Sequence, residues 1–151
     1  MKVKRISRIN KNEFVKIIEK IKLNGIYLKS CSCEIDRDRL FREKTARHQI
    51  HIEDEPLMIT KDDGTVDIHH KYSLEIPSIE EDQKSLGKIE CTFCLNYSPA
   101  ECFSQEFFEE FKKGNLHINT WPFFREFVFN MTARMNVPPI TLPLLKAKKR
   151  K

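Results

Sequence analysis

Cysteine, histidine and carboxylate are the side chains with which this sequence could do chemistry. Cys91 and Cys94 form a CxxC pair, the spacing of redox dithiols and zinc knuckles. Those motifs sit in turns or at helix starts, whereas the residues around this pair alternate as a strand, which sends the two thiols to opposite faces. Cys31 and Cys33 share one face of another extended stretch and, with His69 or His70, are the alternative metal donors. The simpler reading makes all four cysteines small, half-buried strand residues. His48, His51 and His117 read as surface histidines. The acidic runs Glu53–Asp54–Glu55 and Glu80–Glu81–Asp82 could each hold a cation but read first as solvated loops, and Asp62–Asp63–Gly64–Thr65 reads as a turn. There is no Gly-rich phosphate loop, no HExxH and no nucleophile elbow. The sequence therefore predicts no catalytic residue, no metal and no cofactor, and a chain that is not an enzyme.

The elements that would hold these side chains follow from hydrophobic period. Phe14, Ile17, Ile18 and Ile21 recur at helical spacing after Asn10 or Asn12, either of which can cap. Residues 21–35 read as a strand whose parity breaks around Gly25, the signature of a bulge or of burial on both faces. Residues 36–47 read as a charged connection, and 49–53 alternate again. Val66, Ile68, His70, Tyr72, Leu74 and Ile76 line one face of a strand, and Ile89, Cys91, Phe93, Leu95 and Tyr97 one face of the next. Both have a wet opposite face, the pattern of an antiparallel hairpin. Ser104 caps a short helix closed by Gly114, with Phe103, Phe107 and Phe111 spaced by four. A longer helix is expected from about Thr120, with Pro122 in its first turn, ending before Pro138 and Pro139. Trp121, Phe124, Val128, Met131 and Met135 step down one side of it, while Phe123, Phe127 and Phe129 leave it apolar over much of its circumference. Such a helix is buried from more than one side.

Composition bounds the rest. The 151 residues suit one domain over residues 1–145, with residues 1–11 loose and 146–151 a disordered basic tail. The net charge of +5 resides in that tail, KAKKRK, without which bases and acids balance at 22 each. The body is thus no electrostatic nucleic-acid binder, and the tail lacks aromatics that would stack bases. No apolar run is long enough to span a membrane, no secretory signal precedes the domain, and five cysteines are an odd number for a disulfide framework. A reducing cytoplasm is the expected location.

One stretch carries more information than composition. Ile118 to Val128 (INTWPFFREFV), then Thr132-Ala-Arg-Met135 and Pro138-Pro-Ile-Thr-Leu-Pro143, resembles the SecB family of export chaperones. The matching positions are Pro122, Phe123, Arg125 and Glu126 at the opening of a long helix, then Pro139 and Leu142. Leu23-Asn-Gly-Ile-Tyr-Leu-Lys-Ser30 looks like the first strand of that family, and the hairpin fits in order and length. The resemblance implies an α+β protomer with a four-stranded antiparallel sheet packed with a long C-terminal helix, assembling as a homotetramer, a dimer of dimers. It implies an ATP-independent holdase for unfolded or non-native polypeptides, acting in protein export and translocation through SecA, or as the dedicated chaperone of an antitoxin. Family members in general export continue into a second helix and an acidic tail that SecA recognises. The basic ending here points away from routine export and leaves the antitoxin role comparably open.

A holdase needs apolar surface left uncovered, and exposed edges onto which an extended client can add. Tyr27, Phe41, Leu57, Met58, Phe93 and Tyr97 are the candidate client-binding residues, although Phe93 and Tyr97 also fit an ordinary core. Phe41, Leu57 and Met58 are expected on connections. Trp121, Phe124, Phe127, Val128, Met131 and Met135 are the candidate oligomer interface, with Arg125 and Glu126 in helix packing or subunit contacts. A nucleic-acid-binding module acting through the basic ends is the remaining alternative.

Overall fold

A computed structural model describes residues 8–43, 49–80 and 84–146. Asn10 caps helix α1 (Lys11–Lys20), its side chain accepting from the Glu13 N–H at 2.9 Å. The helix therefore begins inside the segment expected to be loose. The apolar side of α1 docks through Phe14, whose ring lies 5.3 Å from that of Phe107. Strand β1 (Lys22–Ile35) follows, with pairing shifts between Leu23 and Gly25 and between Leu28 and Ser30. The parity break seen in the sequence is thus two irregularities along one long strand.

The stretch expected to be a plain connection contains a short helix, α2 (Arg37–Arg42), capped by Asp36. Strand β2 (His51–Thr60) runs past the 49–53 alternation and takes in Glu53–Asp54–Glu55, Leu57 and Met58, which are strand residues and not loop residues. Pro56 is tolerated within it because β2 is an edge strand, where a missing N–H on the free side costs no ladder bond. Gly64, at φ 80°, turns the chain into β3 (Val66–Ile76), and β4 (Gly87–Ser98) completes the sheet. The order is β1-β4-β3-β2 with every neighbour antiparallel. Even-numbered residues of β3 and odd-numbered residues of β4 are buried on one face, as their alternation dictates.

All the helices that pack on the sheet lie against that face. Helix α3 (Gln105–Phe111), capped by Ser104, supplies Phe111, which with Phe103 packs on Tyr97, and Phe107, which packs on Phe103 and Phe111. Helix α4 (Asn115–Arg134) begins five residues earlier than Thr120, so Pro122 stands inside it instead of in its first turn. Pro122 cannot donate to the Ile118 carbonyl, but both residues are exposed, where water can take that acceptor. Phe124 is fully buried and stacks on Tyr72, ring centroids 4.3 Å apart at 11°. Asn136, at φ 53°, ends α4 with the left-handed residue such termini favour. The chain then returns along the helix as an extended strap. Ile140 N–H donates to Thr132 Oγ1, Arg125 Nε–H to the Leu142 carbonyl and Trp121 Nε1–H to the Pro143 carbonyl, at 3.0, 2.8 and 2.8 Å. The two segments that carry the family resemblance are therefore bonded to each other. Residues 147–151, most of the basic tail, lie outside the described residues, as do 1–7 and His48.

Candidate functional site

The sheet has an edge on each side. Among the described residues β1 pairs only with β4 and β2 only with β3, so the outer side of each strand has no strand partner there, and Pro56 offers no N–H on β2. Edge strands of this length invite pairing with another chain unless they are blunted. β1 is partly blunted by its two pairing irregularities and β2 by Glu53–Asp54–Glu55 and Pro56, and both still carry exposed apolar side chains. Leu23 and Leu28 project from β1 on the helix-side face, yet α4 leaves both partly exposed. Leu28 pairs with Phe93, and the Phe93 ring lies 6.1 Å from that of Phe123 on α4, so an apolar ledge runs from the edge strand to the helix.

The opposite, wet face carries a second apolar feature. Tyr27, Cys94, His69 and Leu57 stand in register on β1, β4, β3 and β2, one row across the whole sheet. Its ends, Tyr27 and Leu57, are 57% and 58% exposed, and Ile59 extends the Leu57 end. Cys94 is buried on this face, and its thiol beside Tyr27 raises the tyrosine's pKa. Around the row are carboxylates and lysines, with Lys88 and Lys71 reaching Glu90 at 3.0 and 3.4 Å. Exposed pairs of this kind add little stability but keep the face soluble.

The sequence candidates separate into distinct environments. Tyr27 and Leu57 lie on the exposed row; Met58 is half-buried on the other side of β2, against the core. Phe41 is half-buried on α2 and not on a connection, with the Arg37 guanidinium 5.0 Å from its ring centre. Phe93 and Tyr97 are core residues, 4% and 2% exposed. On α4, Phe124, Phe127 and Val128 are buried within the protomer itself, while Trp121, Met131 and Met135 are intermediate. Their shared apolar stripe reads the same in sequence whether the sheet or a second copy covers it. The large apolar residues of the helix left exposed are Ile118, Phe123 and Phe129. Leu23, Leu28 and Ile59 were missed because unbroken apolar runs such as Leu57-Met58-Ile59 carry no alternation to separate one face from the other.

The chemistry-bearing residues also regroup. Cys91 faces the core and Cys94 the wet face, so the CxxC is split as its strand setting requires, and burial pushes the Cys91 thiol up to about 12. Cys31 and Cys33 face the helix side of β1, away from His69. His117 is no isolated surface histidine: its Nε2 lies 2.9 Å from Asp54 Oδ2, which His70 Nε2 approaches at 2.7 Å. His70 is fully buried, with Nδ1 2.9 Å from Thr120 Oγ1, and Tyr72 Oη sits 2.7 Å from the same hydroxyl. The two imidazoles hold Asp54 far below the usual carboxylate range, and desolvation lowers His70.

No protein-family model matches the chain, and no curated protein does. Among solved structures, the SecB-like chaperone of Mycobacterium tuberculosis, in complex with a ChAD peptide from the HigA1 antitoxin, superposes with a TM-score of 0.73. The match covers 92% of this chain and 100% of that one at 15% sequence identity. A Streptococcus agalactiae protein of unknown function aligns at a TM-score of 0.42 and 13% identity over 82% and 97% of the two chains. The four-stranded antiparallel sheet with its C-terminal helix is thus the SecB-like fold.

Proposed function

We propose that this chain is a non-catalytic, ATP-independent chaperone that holds non-native polypeptide segments. The observation that carries this reading is the pair of unpaired strand edges, each flanked by exposed apolar side chains, within a SecB-like fold. An extended client can add to β1 or β2 by backbone hydrogen bonds, which are indifferent to sequence. Leu23, Leu28 and Phe123 on one side of the β1 edge, and Tyr27 on the other, then supply apolar contacts for alternate client side chains. Self-association uses Ile118 and Phe129, exposed on α4, together with half-buried Trp121, Met131 and Met135. The assembly is a homotetramer, a dimer of dimers, and the setting is the cytoplasm. The test is suppression of aggregation of two unrelated denatured proteins, without nucleotide, by the purified full chain at equimolar concentration. Protection of both is expected, and protection of neither overturns the reading.

A second reading is favoured by one observation: the superposing chaperone was solved with a peptide from an antitoxin. On this reading the same edges serve one dedicated client. It predicts tight binding of a single antitoxin segment and weak protection of unrelated proteins, and so the same assay separates the two. Delivery to SecA for export would add binding to that motor, checked by co-sedimentation. Nucleic-acid binding by the basic end would instead show affinity that collapses with salt and is lost on deleting residues 146–151.

A further inference from the structure

Three donors converge where β2, β3 and α4 meet. His70 Nε2 and His117 Nε2 approach the same oxygen, Asp54 Oδ2, and the donor atoms of the three residues all lie within 4.8 Å of one another. They come from three separate elements, so the convergence is a product of the fold and not of a local sequence run. One other group, Asp67, His69 and Cys94, is comparably close among the described residues, but its Cys94 is fully buried.

Proton placement around His70 decides whether the cluster is a hydrogen-bonded trio or a set of metal donors. Two arrangements satisfy the buried side. In one, Thr120 donates to Nδ1 and His70 donates from Nε2 to Asp54. In the other, Thr120 donates to the Leu116 carbonyl, 3.1 Å away, as helical threonines commonly do, and accepts from both Tyr72 Oη and His70 Nδ1. In this second arrangement the Nε2 lone pair is turned toward Asp54 and is available to ligate an ion shared with that carboxylate and with His117.

We propose that Asp54, His70 and His117 bind a divalent transition ion of the zinc class through one carboxylate oxygen and the two Nε2 atoms. Two imidazoles and a carboxylate are a donor set such ions favour. Ligand atoms at roughly 2.0–2.1 Å from a tetrahedral ion stand about 3.3 Å apart, so the His–Asp spacings open by about half an ångström. Thr120 is the outer partner that fixes the His70 tautomer, as an acceptor on the distal nitrogen of a ligating imidazole does. His117 and Asp54 are 24% and 32% exposed, which gives the ion a path from solvent and a fourth position open to water. The ion would clip edge strand β2 to the first turn of α4.

The test is a Zn²⁺ titration of EDTA-treated full-length protein against a chromophoric chelator, paired with a Co²⁺ absorption spectrum. One equivalent per chain is expected, with affinity falling at least about 100-fold in His117→Ala and in Asp54→Asn, and unchanged in a Cys31→Ser, Cys33→Ser double variant. The Co²⁺ spectrum of the wild type should show ligand-field bands without a thiolate charge-transfer band, a readout that needs no variant to fold. No stoichiometric binding, binding that survives His117→Ala, or a thiolate band would overturn the proposal.

Discussion

At the scale of single residues, Thr120 is the position on which most depends. Its hydroxyl is fully buried and is shared by His70, Tyr72 and the Leu116 carbonyl, so removing it strands at least one buried polar group. Thr120→Val should cost about 1–3 kcal/mol in chemical denaturation, whereas Thr120→Ser, which keeps the oxygen, should cost distinctly less. Equal losses in the two variants would show that the methyl packing and not the hydroxyl is what matters. The thiols divide just as clearly. Cys91 is buried with its thiol pushed up to about 12, and so stays protonated and unreactive at pH 8, while Cys31 is exposed. Iodoacetamide on the native protein should therefore modify Cys31 readily and leave Cys91 and Cys94 intact until unfolding, as peptide mass mapping would read. Modification of Cys91 in the native state would contradict the core placement.

Among the elements, α4 decides how the protomer meets a second copy. Phe124 is stacked on Tyr72 inside the protomer, so Phe124→Asp should unfold the chain, a loss of about 4 kcal/mol or more. Phe129 is 44% exposed, so Phe129→Asp should leave stability within about 0.5 kcal/mol yet lower the mass found by light scattering. Loss of folding with Phe129→Asp, or an unchanged mass, would refute this division of the helix. The division was not legible in sequence, because Trp121, Phe124, Val128 and Met131 fall on one stripe and period alone cannot name its cover. The start of α4 was hidden for a related reason: a proline reads as a first-turn residue, and only an exposed face lets Pro122 stand mid-helix. β3 and β4 were legible in full because one wet face imposes alternation. β2 was not, since an edge strand carrying Pro56, three acids and a continuous apolar run has no contrast between its faces. The His–Asp cluster was equally hidden, its members lying 16 and 47 residues apart in sequence and meeting only once β2, β3 and α4 are assembled.

For the molecule as a whole, the central claim is that the bare edges of the sheet receive extended polypeptide. Among the described residues β1 and β2 have no strand partner on their outer sides, which provides two such places per protomer. Self-association that covers one edge would leave the other for the client. The most direct measurement is backbone amide hydrogen exchange of the full chain with and without a saturating unfolded polypeptide. The account predicts slower exchange along Lys22–Ile35 or His51–Thr60, with β3 and β4 unaltered because their amides are already paired within the sheet. Binding that leaves both edge strands exchanging as before would contradict it.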